Sequence, residues 1–155
     1  TTQSGFTLLE VMIALVIFSI GLLGLSGLQA ISLQNNQVAY SRTVATMLTY
    51  DMADRIRNNP TATSVTIPGS ATTCVGATPC DSAAMRARDL WEWDQSVKDA
   101  QNTNLTNAVG FISLAGNTYT ISIAWDEERK GNTPPTACPP AANSGFACVS
   151  IVVTP

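Results

Sequence analysis

Histidine is absent from this 155-residue chain. Ser–His–Asp and Cys–His nucleophilic sites, and any mixed Cys/His metal site, therefore drop out. Charge is scarce as well: charged residues make up 12% of the chain, and mean hydropathy is +0.15. The scarcity is local, because Glu10 is the only charged residue before Arg42. No run of Lys or Arg occurs and the net charge is −3, so a nucleic acid finds no electrostatic footprint. No GxSxG, P-loop or GxGxxG stretch is present. Glu92, Asp94 and Asp99 could be imagined as an acid pair, but they read as a solvated helix face. Together these absences point away from an enzyme and imply neither cofactor nor metal. Proline is missing until Pro60, so nothing breaks a helix over the first third of the chain.

What is there is an apolar run, GFTLLEVMIALVIFSIGLLGLSGL, from Gly5 to Leu28. Val11 to Leu28 is 18 residues without a charge, with only Ser19 and Ser26 polar beyond glycine; counted from Phe6 the run is 23. Both lengths fall within the range for a membrane-spanning helix. Glu10 stands at or inside the apolar zone. A carboxylate there is costly, which leaves two readings: a functional group with a partner, or a side chain that snorkels to the headgroups. The run lacks the small-residue cleavage site of an ordinary signal peptide on its far side. The chain starts at Thr1 rather than Met, and the true start, with any basic residues that set orientation, is expected to precede it.

Helix is expected without interruption from about Thr7 to Asn58, roughly 50 residues or about 75 Å. Gly21, Gly24 and Gly27 each cost roughly 1 kcal/mol of helix propensity. They read either as close packing through small residues or as a place where the helix melts. From Gln29 the sequence turns amphipathic. Val38, Ala45, Leu48, Met52 and Ile56 form a stripe that Tyr40, Val44 and Met47 widen. Asp51 and Arg55 are spaced for an i,i+4 pair. Asn58-Asn59-Pro60 ends the helix. A loop with one short strand at Val65 to Ile67 follows. A second helix is expected from Ser82 to about Gln101, with Met85, Leu90, Trp93 and Val97 inward, Arg86, Asp89 and Lys98 interleaved, and Trp91 near its flank. Val109 to Leu114 and Thr118 to Trp125 read as a hairpin, with Tyr119, Ile121, Ile123 and Trp125 on the buried face. Phe146 to Val153 is the last strand. Trp93 and Trp125 read as core.

Cysteines number four: Cys74, Cys80, Cys138 and Cys148. The spacings do not fit zinc knuckles, and an even count beside an export segment reads as disulfides in an oxidising compartment. Three pairings are open. Cys74–Cys80 with Cys138–Cys148 is favoured because each closes a short loop; free buried thiols are the alternative. Asn104-Leu105-Thr106 is a lone sequon and a weak signal.

Gly5-Phe6-Thr7-Leu8-Leu9-Glu10, followed at once by an apolar helix, resembles the class III signal of type IV pilins and type II secretion pseudopilins. IGLLGLSGLQ, NNQVAYSR and YDMADRIRNNP, and the later TYTISIAWDEE, are similar to PilV-type minor pilins. The resemblance covers Gly5 to about Pro60 and Tyr119 to Glu127, and leaves the middle loops unmatched. Major pilins often bend this helix with a proline; here Gly27 occupies that neighbourhood. The resemblance implies an α+β fold, a long N-terminal helix packed on a small antiparallel sheet with a second helix in the connecting region. It implies a leader remnant at 1–5 and a membrane or filament-core half-helix at 6–28. A head at 29–155 then includes the amphipathic half-helix 29–59.

Prepilin peptidase would cut between Gly5 and Phe6, and Phe6 would become the N-methylated terminus. The amine of Phe6 and the carboxylate of Glu10 would pair within or between subunits. The implied partners are other minor pilins and the major pilin, through helix packing. The implied location is the bacterial inner membrane with the head in the periplasm, then the pilus and cell surface. Two alternatives remain: a minor pseudopilin of a type II secretion system, or a membrane-anchored binding module.

Overall fold

In a computed structural model, residues 5–71, 79–99, 104–131, 135–136, 138 and 145–155 are described. The element order is α1 (Leu8–Asn58), α2 (Ser82–Lys98), β1 (Val109–Ala115), β2 (Thr118–Asp126) and β3 (Phe146–Val153). This is an α+β, type IV pilin-like fold. By contacts the chain divides into two units, Thr1–Ala39 and Tyr40–Pro155.

The first unit holds the apolar half of α1, residues 8–28, whose side chains are uncovered on every side. Leu9, Phe18 and Leu23 expose 69%, 63% and 74% of their surface. A helix apolar all round needs a lipid or protein environment to cover it. Its two hydroxyls are turned inward along the chain: Ser19 Oγ donates to the Leu15 carbonyl at 2.7 Å, and Ser26 Oγ to the Leu22 carbonyl at 2.9 Å. A Cβ at Gly21, Gly24 or Gly27 would meet nothing within 4 Å.

In the second unit α1 buries Ser41, Ala45, Thr49, Met52, Ala53 and Ile56. Most of this stripe is small, which lets the helix backbone approach closely. Tyr40 and Met47, expected to widen it, instead lie 53% and 66% exposed. Val44 and Leu48 are half-buried against the core.

Helix α2 starts at a side-chain cap, where the Ala84 N–H donates to Asp81 Oδ1 at 2.7 Å. It ends at Lys98, short of the expected Gln101; the Asp99 N–H closes it by donating to the Gln95 carbonyl. Leu90, Trp93 and Val97 are fully buried, as the spacing predicted. One position departs from it. Met85 is 47% exposed, whereas the neighbouring Arg86 is fully buried. Arg86 Nη2 donates to the carbonyls of Asn59 (2.7 Å) and Ile56 (3.3 Å), and the guanidinium lies 5.9 Å from the Tyr119 ring centroid. The cation satisfies two carbonyls at the open end of α1 and complements the negative end of its dipole. Burial lowers the Arg86 pKa from its ordinary value, while Tyr119 and Asp89 act to raise it. Asp94, read as solvated, is buried and accepts from Lys98 Nζ at 2.6 Å.

The sheet has the order β1-β2-β3, antiparallel throughout. Register sets three rows on the face toward the helices: Gly110–Ile123–Val149, Ile112–Ile121–Ile151 and Leu114–Tyr119–Val153. Tyr119, Ile121, Ile123 and Trp125 are all buried, so the period-two alternation places this face correctly. On the opposite face the hydroxyls of Ser122 and Ser150 bond across the strands at 2.8 Å. No strand forms at Val65 to Ile67; both side chains are half-buried against the core without a ladder partner. The segment packs on the core through these two side chains and pairs with neither β1 nor β3.

Trp93 joins these layers. Its Nε1–H donates to the Leu48 carbonyl of α1 at 2.8 Å. Its six-membered ring lies over β1 at Gly110, where an added Cβ would stand 2.5 Å from Cη2 and from Cζ3. Charges fasten α2 to α1 from outside: Arg55 reaches Asp51 (3.0 Å), Asp89 (3.3 Å) and Glu92 (3.2 Å), and Arg88 reaches Glu92 (2.6 Å).

Two tests follow from this packing. Gly110→Ala drives a methyl into a locked indole ring, an overpacking change expected to cost about 1–3 kcal/mol. Thermal unfolding of the detergent-solubilised chain, read by tryptophan fluorescence, should show a correspondingly lower midpoint. The second test concerns Glu92. Its hydrogen bonds from Arg88 and Arg55 hold the carboxyl below its ordinary value, against an opposing effect of burial. A depressed carboxylate contributes stability at pH values above its unfolded pKa, and that contribution fades as pH falls through the folded value. Denaturant midpoints should therefore drop between pH 5 and pH 3, and Glu92→Gln should flatten the drop while lowering the midpoint at pH 7.

Candidate functional site

The residues singled out at the N-terminus fall on a boundary in the backbone. Gly5, Phe6 and Thr7 lie outside the helix, and α1 begins at Leu8. Thr7 is the N-cap. The Glu10 N–H donates to the Thr7 carbonyl at 3.1 Å and to Thr7 Oγ1 at 3.3 Å, and the Val11 N–H donates to the same carbonyl at 3.3 Å. Glu10 thus occupies N3 in a Thr-x-x-Glu capping arrangement, where its negative charge also suits the positive end of the helix dipole. The Thr7-x-x-Glu10 spacing is the sequence signature of this cap.

Phe6 is 84% exposed, and a Cβ at Gly5 would meet nothing within 4 Å. The backbone on both sides of the Gly5–Phe6 bond is therefore open. Phe6 and Glu10 line one shallow groove with Val11, Ala14, Leu15 and Phe18. The structure thus brings together the two residues expected to carry docking, one helical turn apart. Chemically, the groove offers a single carboxylate set in aromatic and aliphatic walls. Such a site accommodates a compact cation that arrives with apolar flanks.

The other candidate residues sit in the head. A disulfide joins Cys138 to Cys148, with their Cα atoms 6.1 Å apart, and anchors β3 to the loop before it. Cys80 is also disulfide-bonded; Cys74, its expected partner, lies outside the described residues. Asn104 of the lone sequon is engaged, since Arg129 Nη2 donates to its Oδ1 and Leu105 beside it is fully buried. Among the described residues no three His, Cys, Asp or Glu side chains gather as a metal site.

Two features of the head escaped the sequence reading. Arg42 Nε and Nη2 donate to Glu127 Oε1 and Oε2, at 2.9 and 3.2 Å, in a bidentate pair that spans 85 positions of sequence. That pair raises the Arg42 pKa above its ordinary value. It is solvent-exposed, so it is worth at most about 1 kcal/mol. Asp126 Oδ2 accepts the Gly131 N–H at 2.8 Å and shapes the turn after β2. Neither feature has a local signature, because each depends on residues far apart or on a turn whose geometry only the fold sets.

Among the described residues, one helix, α1, is long and apolar enough to cross a membrane. Residues 1–26 match the family model described as the prokaryotic N-terminal methylation motif. No curated protein and no solved structure matches the chain. The motif supports a member of the type IV pilin and pseudopilin family, a structural class. With it come processing by prepilin peptidase and, in general terms, pilin assembly partners. The exposed apolar half of α1 fits a membrane-anchored protein of that kind.

Proposed function

We propose that this chain is a minor pilin of the type IV pilus, of the PilV type, which takes part in starting assembly and is then incorporated into the fibre. Twitching motility and adhesion are the processes it would serve. The observation that carries this reading is the pairing of Phe6 and Glu10 in one groove at the start of an uncovered apolar helix, within a matched methylation motif. Peptidase cleavage at Gly5–Phe6 leaves a cationic amine on Phe6, which is then methylated. In the inner membrane, and later in a shared helix bundle, that amine and the Glu10 carboxylate are complementary charges in a low dielectric. Leaving either one unpaired costs several kcal/mol, so the pair selects subunit register.

The single-pass helix holds the head in the periplasm before assembly and at the cell surface afterwards. The head, from Gln29 in this reading, carries contacts to other minor pilins and to the major pilin. The two cysteine pairs, Cys74–Cys80 and Cys138–Cys148, stiffen its loops. A minor pseudopilin of a type II secretion system uses the same N-terminal chemistry. The stretches NNQVAYSR and YDMADRIRNNP, together with the cysteine pairs, favour the pilus.

Glu10→Val keeps the helix apolar and should leave membrane insertion intact. It should reduce recovery of the chain in sheared pilus fractions by roughly tenfold or more, because a buried amine loses its partner. Unchanged recovery would exclude the charge-pairing role. Deleting the gene decides between the two filament readings: loss of twitching with secretion preserved identifies the pilus, and the converse identifies the secretion system.

A further inference from the structure

The cap at Thr7 has a consequence for the bond two residues before the helix. We propose that Thr7 is the positioning residue of the processing site: its hydroxyl starts α1 at Leu8 and thereby keeps the Gly5–Phe6 amide outside the helix. This inference rests on the reading that the chain is cut at that bond. Cleavage there is hydrolysis. Water adds across the amide, the C–N bond breaks, and Gly5 keeps a carboxylate while Phe6 gains the amine. A peptidase must reach both faces of that amide, and an amide inside a helical turn is screened by its own hydrogen bonds and by the neighbouring side chains. A membrane environment favours helix, because every backbone group must be satisfied internally there. The apolar stretch would therefore tend to extend its helix toward the N-terminus unless something stops it.

Three observations place the stop at Thr7. The Glu10 N–H, an end donor with no partner inside the helix, is taken by Thr7 Oγ1 at 3.3 Å and by the Thr7 carbonyl at 3.1 Å. Gly5 to Thr7 are non-helical in the same chain in which 51 residues beyond them are continuous helix. Phe6 at N′ and Val11 at N4 line the same groove, the placement of a hydrophobic staple that fixes the angle at which the chain enters a helix. Thr7 touches neither the scissile carbonyl nor the water. It acts through the backbone, by deciding where the helix begins.

The test uses the full chain in inner-membrane vesicles with prepilin peptidase, and follows the initial cleavage rate by mass change and N-terminal sequencing. Thr7→Val keeps the shape but removes the acceptor, and Thr7→Ala removes both. Each should slow cleavage about fivefold, the factor matching loss of an N-cap. Thr7→Ser and Thr7→Asn keep a cap and should stay within about twofold of the parent. Thr7→Asn separates the proposal from direct recognition of threonine by the peptidase, since it caps well with a different shape. Carbon chemical shifts of the uncleaved chain in micelles should report helix reaching Phe6 in Thr7→Val and stopping at Leu8 in Thr7→Asn. Cleavage of Thr7→Val at the parent rate, or of Thr7→Asn as slowly as Thr7→Val, overturns the proposal. Absence of any cut at Gly5–Phe6 in the parent chain instead overturns the processing reading beneath it.

Discussion

The indole of Trp93 is held from two directions. Its N–H is fixed on the Leu48 carbonyl of α1, and its ring fills the space that Gly110 leaves open on β1. The side chain belongs to α2, so one residue sets the spacing of three elements. The rest of the head can be described as what this arrangement permits. Leu90 and Val97 flank the indole on α2. Ile121, Ile123 and Tyr119 present the central strand to the same core. The small residues on the buried stripe of α1 let the helix come close. A rigid, flat aromatic with one polar handle suits this position because it has few rotamers and one hydrogen bond to direct it.

Much of this was legible beforehand, for physical reasons that differ by element. The apolar half of α1 was legible because eighteen uncharged residues leave few alternatives. The hairpin was legible because alternation and a Gly-Asn turn agree. Helix α2 was legible as a helix but misread on one face. Spacing alone placed Met85 inward and Arg86 outward, since a cation is ordinarily assigned to solvent. The inversion comes from the end of another helix, whose carbonyls at Ile56 and Asn59 accept from the Arg86 guanidinium. Asp94 is the same kind of miss, a carboxylate buried beside its own i+4 lysine. Val65 to Ile67 failed differently: β-type residues were present, but strand formation also needs a free edge at the right distance. At the N-terminus a charge in an apolar run stands out in the sequence, whereas the Thr7 cap shows only as a threonine three residues before Glu10.

The two units carry different kinds of information. The head is specified by long-range contacts: Arg42 with Glu127, Arg86 with Asn59, Trp93 with Leu48. The N-terminal segment is specified locally, within six residues from Gly5 to Glu10. Local specification suits a segment that must be recognised as a linear signal whatever the head looks like. The matched residues 1–26 lie within the first of these units.

The inward-turned hydroxyls of Ser19 and Ser26 carry a consequence for how such a helix moves between surroundings. Each serine returns its hydrogen to a carbonyl four residues back. From Val11 to Leu28 the helix therefore presents an exterior of hydrocarbon, with its polar groups already spent on one another. To such a rod, acyl chains and the alkyl side chains of neighbouring helices are nearly equivalent solvents. Neither surrounding is favoured by hydrophobicity alone. A helix with such an exterior has little means of telling one apolar neighbour from another. Discrimination then falls to the groups at its two ends.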